Sequence, residues 1–196
     1  MIKIYLVRHG EATEGWTSQD PSLSELGKSQ AQSLMTVMDS VVDESSINNT
    51  NVLSSPLKRC KETASLALQK KYLEIVINDN FRELPSPTLD LEKRVNWLRR
   101  ILPLTWSELL KDKETIDSGV NFNQWKKNIM SNIYSLKKDT IIFTHFVVIN
   151  AVIGEILKSN KIINFQPANC SITEISKING KLKIVKLGKS LESKVN

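Results

Sequence analysis

The period of apolar and polar positions changes several times along the chain, and each change marks an element. Residues 2–7 (IKIYLV) are a short apolar run ending at Arg8-His9-Gly10, the pattern of a buried strand running into a loop. Asp20-Pro21 marks a turn, and Ser22 or Ser24 caps a helix to about Asp39, with Leu26, Gln30, Leu34, Val37 and Met38 at roughly helical spacing. Residues 43–50 form a polar loop, and Val52-Leu53 a short strand. Ser55 is placed to cap a helix whose first position is Pro56 and which runs to about Lys71. Residues 73–77 (LEIVI) read as another strand, and Pro85 and Pro87 break the chain after Glu83.

The stretch 88–136 is helical in pattern, interrupted near Pro103 and Gly119. Residues 140–144 (TIIFT) are the clearest buried strand, ending at His145, and a helix follows from about Val147 to Leu157. Two alternating segments, 171–175 and 182–185, flank Asn179-Gly180, a strong hairpin signal. Strands alternating with helices predict a three-layer α/β/α fold with a mainly parallel central sheet and an edge hairpin at the C-terminus. A single domain over 1–196 is expected, with 84–136 as a helical cap or side region inserted in it.

Composition narrows the function classes. No run approaches the apolar length of a membrane helix, and the N-terminal run is too short for a signal peptide, so a cytoplasmic protein is expected. Cys60 and Cys170 lack metal-type spacing and are expected as free thiols. With only 2 histidines, a zinc site has little support. The net charge of +6 reflects a general bias towards Lys, without a basic block or aromatic interleaving, so nucleic acid is not the expected partner. Against that bias the few arginines stand out as Arg8, Arg59, Arg82, Arg94, Arg99 and Arg100, candidates for work that needs a planar fork.

Both histidines follow predicted strands, and parallel strands place their carboxyl ends at one crevice. Arg8 precedes His9, and Arg59 lies in the first turn of a helix that itself follows a strand, where free N–H groups favour an anion. Two imidazoles, two guanidiniums and a helix start can thus converge on one phosphate-like group. Each residue alone is an ordinary loop or surface residue; the coincidence of four is the signal.

Four ordered segments carry a resemblance. Tyr5-Leu6-Val7-Arg8-His9-Gly10-Glu11, the stretch Leu23 to Ala31 (LSELGKSQA), the stretch Ser54 to Ala64 (SSPLKRCKETA) and Thr144-His145 resemble the signature segments of the histidine phosphatase superfamily, which includes the cofactor-dependent phosphoglycerate mutases. The resemblance extends nearly the whole chain, to Asn169–Thr173. It implies a phosphoglycerate mutase-like fold and a nucleophilic His9 that forms a phosphohistidine. It further implies phosphate binding by Arg8, His9, Arg59 and His145, with no cofactor and no metal. The family's acid maps best onto Glu83, in Phe81-Arg82-Glu83-Leu84-Pro85. The alternative for Glu83 is an ordinary loop residue paired with Arg82. Glu11 is expected to be structural, and Trp97 and Trp125 to be core.

The chain departs from the family pattern at several places. Ala12 stands where members often carry Ser or Thr, so a phosphate contact is either lost or taken over by Thr13, and Thr13, Trp16 and Phe146 are expected at the substrate rim. Phe146 follows the second histidine where Gly is usual, and Asn150 stands where Arg often occurs. The loop after the first motif is shorter than in the mutases, which favours hydrolysis of a phosphorylated small molecule or phosphoprotein. Phosphoglycerate mutase-type transfer, and phosphate-ligand binding with little turnover, are the competing expectations. At least two of Arg94, Arg99 and Arg100 are expected on an exposed helical face, and oligomeric state is left open.

Overall fold

A computed structural model describes residues 1–13, 20–42, 46–71, 73–87 and 91–191. Its strands are β1 (Ile2–Arg8), β2 (Thr50–Ser54), β3 (Ile75–Ile77), β4 (Asp139–Thr144), β5 (Ile172–Ile178) and β6 (Lys181–Lys186). They form one sheet in the order β3-β2-β4-β1-β5-β6. β3, β2, β4 and β1 run parallel, and β5 pairs antiparallel with both β1 and β6. The helices are α1 (Glu25–Val41), α2 (Lys58–Ala67), α3 (Leu91–Ile101), α4 (Trp106–Leu109), α5 (Lys113–Asp117), α6 (Phe122–Ser135) and α7 (Phe146–Leu157).

The central strands are apolar on both faces because helices cover both. Tyr5, Val7, Ile141 and Phe143 face Leu34 and Met38 of α1 and Cys60 and Ala64 of α2. Ile4, Leu6 and Ile142 face Ile129 and Ile133 of α6 and Val148 and Val152 of α7. α7 is buried along Val147–Gly154, which is why its sequence is apolar almost all round. Helices α3, α4 and α6 add a third cluster, in which Trp97, Ile101, Trp106 and Phe122 pack with Val147 and Ala151 of α7. Among the described residues no helix is long and apolar enough to cross a membrane.

Several boundaries differ from the sequence pattern. α2 begins at Lys58, with Leu57 as an extended cap residue; the Ser55 hydroxyl accepts from Leu57 N at 3.3 Å and also lies 2.8 Å from His145 Nε2. It ends at Ala67 rather than Lys71, and Leu68 turns in to bury its side chain. β3 covers only Ile75–Ile77, the residues that find partners on β2. The hairpin forms as expected: Asn179 and Gly180 have φ of 48° and 74°, the two left-handed positions of a type I′ turn.

Parallel register fixes where the loops begin. Arg8 pairs with Thr144, so His9 and His145 leave the sheet side by side, and His9 N donates to Thr144 O at 3.0 Å. Ser54 pairs with Phe143, which brings Ser55 level with the same edge. The Thr144 hydroxyl donates to Phe81 O at 3.0 Å and ties the segment leading to Glu83 across the end of β4.

Candidate active site

The nucleophile loop is held by a close approach of two glycines. A Cβ on Gly27 would lie 2.0 Å from Glu11 O, and one on Gly10 would lie 2.6 Å from Gly27 O. The start of α1 therefore packs directly on the loop that carries His9. Ser24 caps this helix by accepting from Gly27 N and donates its own hydroxyl to Glu11 Oε1 at 2.8 Å. Glu11 thus ties the nucleophile loop to the cap of α1 through a hydroxyl rather than through backbone or a base.

His9 has one orientation open to it. Its Nδ1 lies 2.7 Å from Gly10 O, a contact that requires a proton on Nδ1. The lone pair is then on Nε2, which accepts from Arg59 Nε at 3.2 Å. Arg59 Nη2 reaches His145 Nδ1 at 3.2 Å, and His145 Nε2 is positioned to donate to Ser55 Oγ at 2.8 Å. The two imidazole centroids are 5.2 Å apart with Arg59 spanning them.

Burial and the adjacent Arg59 and Arg8 charges hold the His9 pKa well below the ordinary imidazole value. The ring is accordingly neutral at pH 7, the state a nucleophile needs. Burial, then Arg59 and His9, push His145 the same way. Glu83 responds in the opposite sense: burial raises its carboxyl above the ordinary value, against the pull of the Leu84 amide, Arg59, Arg8 and the Val147 amide. Its Oε1 accepts from Leu84 N at 2.9 Å and from Val147 N, at the start of α7, at 3.2 Å. Arg82 turns away to Asp79, so the alternative pairing with Glu83 does not form.

His9, Arg59 and Glu83 line a cavity of about 370 Å³. Arg8, Glu11, Arg94, Gln166 and Asn169 add further polar groups to the lining, and Leu84, Leu98, Leu102, Phe146, Ile163 and Leu191 add apolar ones. Arg8 Nη1 donates to Pro167 O at 2.8 Å, its guanidinium lies 5.2 Å over the Phe146 ring, and its buried Nε meets no acceptor among the described residues. An unpaired guanidinium donor beside a neutral imidazole and a second guanidinium is a setting for an anion.

The family model described as histidine phosphatase superfamily (branch 1) matches residues 4–190. The chain belongs to this superfamily. An alpha-ribazole phosphatase from Shigella flexneri superposes with a TM-score of 0.74 at 21% identity, covering 97% of this chain and 98% of that one. A phosphoserine phosphatase from Entamoeba histolytica, solved with 3-phosphoglyceric acid, superposes with a TM-score of 0.72 at 19% identity, over 97% and 98% of the two chains. These likenesses establish the fold. The Escherichia coli protein named probable phosphoglycerate mutase GpmB is 28% identical over 116 residues, 52% of this chain and 50% of that protein. The chain spans about half the length of the curated relatives it matches.

Of the residues singled out in the sequence, Arg8, His9, Arg59 and Glu83 line the cavity. His145 lies one layer deeper, fully buried behind Arg59, and is not part of the lining. Phe146 is a wall residue, under Arg8. Thr13 is not: its amide and hydroxyl both turn to Ser22 O, and Ala12 lines the cavity instead. Trp16 lies outside the described residues. Trp97 is core; Trp125 is half-buried and donates to Arg82 O at 3.3 Å.

Three supports were not singled out in the sequence. Thr63 Oγ1 accepts from Gly10 N at 3.0 Å and donates to Arg59 O at 2.6 Å, linking the nucleophile loop to α2. Asn169 Nδ2 donates to His9 O at 3.0 Å. Asp20 Oδ1 accepts from Lys58 N at 2.9 Å and sits 4.0 Å from Arg59 Nη1. Thr63 lies one helical turn after Arg59 and so shares its face, a spacing visible in the sequence. Asp20, distant along the chain from α2, has no such signal. Cys60 and Cys170 are both free thiols.

Proposed function

We propose that this protein hydrolyses phosphomonoesters through a phosphohistidine on His9, with Glu83 as the general acid. The observation that carries the reading is the fixed orientation of His9, with Nδ1–H on Gly10 O and the Nε2 lone pair turned to Arg59 in the cavity. Admitting a phosphoryl group requires the Arg59 donors to pass from the imidazoles to phosphoryl oxygens, with Arg8 on the same charge. His9 Nε2 then bonds to phosphorus as the ester P–O bond breaks, and the leaving oxygen takes the Glu83 proton. Water next attacks the phosphohistidine and gives its proton to the Glu83 carboxylate. The N–P bond breaks, inorganic phosphate leaves and His9 is restored neutral.

The names of the fold relatives, phosphatases for phosphoserine and alpha-ribazole esters, support a small phosphomonoester over a phosphoprotein. Transfer to a second acceptor is the competing fate, favoured by the relatives named as mutases. A single turnover on radiolabelled substrate, quenched into alkaline detergent, is expected to leave label on His9 in the wild type and none in H9A. Undiminished phosphate release by H9A overturns the proposal; label that leaves only on an added alcohol acceptor assigns transferase activity instead.

A further inference from the structure

Arg8 is held in the cavity wall without a counter-charge. Among the described residues no carboxylate lies within ion-pair distance of it. Its two contacts are neutral: the carbonyl of Pro167, which accepts from Nη1 at 2.8 Å, and the face of the Phe146 ring, whose centroid is 5.2 Å from the guanidinium carbon. A guanidinium has several N–H donors, and here Nε is buried and meets no acceptor among the described residues. Burial weakens the protonated form of Arg8, and Glu83, which favours it most, is itself pushed towards the neutral state. A carboxylate paired with Arg8 would hold the fork and cancel its charge. An aromatic face attracts the cation and supplies neither a negative charge nor an acceptor oxygen.

The fold ties the two neutral contacts to each other. Phe146 opens α7, and Asn150, one turn later, is fully buried. Asn150 Nδ2 donates to Phe146 O at 3.0 Å, and its Oδ1 accepts from Asn164 N at 2.7 Å and from Phe165 N at 3.1 Å. The segment that leads to Pro167 is thereby fastened to the turn of helix that carries the ring. Resting on the phosphohydrolase reading, we propose that Phe146 is a positioning residue, whose ring holds the Arg8 fork in place and leaves its charge and free donors to the phosphoryl oxygens. Ordering an arginine side chain costs rotamer freedom, so a fork held before the anion arrives binds it more tightly.

The test replaces Phe146 by mono-, di- and trifluorinated phenylalanine, which nearly keep the ring's shape and weaken its attraction for a cation in steps. Inorganic phosphate is the probe, titrated by calorimetry, since it has no organic body to touch the ring. Its Kd is expected to rise in the order of fluorination, by between about twofold and about thirtyfold at the end of the series, and Phe146→Leu is expected to bind no better than the trifluorinated ring. A Kd that stays constant along the series overturns the proposal. Denaturant unfolding of the same proteins shows whether the ring acts through Arg8. Trifluorination is expected to lower stability in the wild-type background and to do so less in Arg8→Gln; an equal effect in both backgrounds overturns the proposal as well. Phosphate affinity graded by fluorination, without turnover of any monoester, would keep the positioning role and remove the hydrolase. No binding of phosphate by the wild type would remove both.

Discussion

At the scale of single residues, the site divides one proton problem between two groups. His9 has to be neutral to attack, and Glu83 has to be protonated to release an alkoxide; burial drives both towards the neutral form. The acid limb of kcat/KM is therefore expected well below the ordinary imidazole value. The alkaline limb, as Glu83 ionises, is expected above the ordinary carboxyl value. Glu83→Gln is expected to slow an alkyl phosphate between about a hundredfold and ten-thousandfold. Nitrophenyl phosphate, whose leaving group needs no proton, is expected to lose less than about tenfold, with its alkaline limb gone. An unchanged rate on the alkyl ester would remove Glu83 as the acid. His9, Arg59 and Glu83 were legible because each sits in a motif just after a strand. Asp20 was not, because its partners Lys58 and Arg59 meet it only through the tertiary fold. The depth of His145 was equally hidden: sequence gives the strand end but not which side chain covers it.

At the scale of elements, two glycines separate packing from backbone strain. Gly27 opens α1 against the nucleophile loop, where a methyl group would collide with Glu11 O. Gly180 sits at φ 74° in the β5–β6 turn, with nothing within 4 Å of a built Cβ. Gly180→Ala is expected to cost about 1 kcal/mol of stability through backbone conformation alone and to leave phosphate release intact. Gly27→Ala is expected to cost roughly 1–3 kcal/mol or more and to lower kcat, since the loop it displaces carries His9. Denaturant unfolding beside turnover measures both; equal loss of activity in the two variants would contradict the division. The Asn179-Gly180 turn and the β1 and β4 runs were legible because local chemistry decides them. The start of α2 was not: the Ser55 hydroxyl holds Leu57 N just ahead of the helix and also meets His145, a partner far along the chain. β3 shortened for a similar reason, its length being set by the residues β2 presents to it.

At the scale of the whole molecule, the parallel strands gather residues from remote parts of the chain at one sheet edge, and folding has to bury two imidazoles there. His9 and His145 have folded pKa values well below the 6.5 of an exposed imidazole. The unfolded chain thus binds protons that the folded one refuses as pH falls. Their contribution is full above about pH 6.5 and is lost as pH drops towards the folded values, by up to about 1.4 kcal/mol per pH unit for each histidine. Glu83 opposes this. Its folded pKa is raised above 4.5, so its contribution is present below that value and lost as pH rises through the folded one. Two histidines against one carboxyl leave a net loss of stability on acidification below pH 6.5. Thermal unfolding from about pH 8 to about pH 5 is expected to show Tm falling across that window. His145→Asn, which keeps hydrogen-bonding groups but cannot titrate, is expected to flatten the fall. A wild-type Tm independent of pH in that range, or an identical slope in His145→Asn, would mean that the buried ring takes up its proton in the fold. Arg59 would then have to let go of Nδ1, and the account of the resting site built on that contact would fail with it.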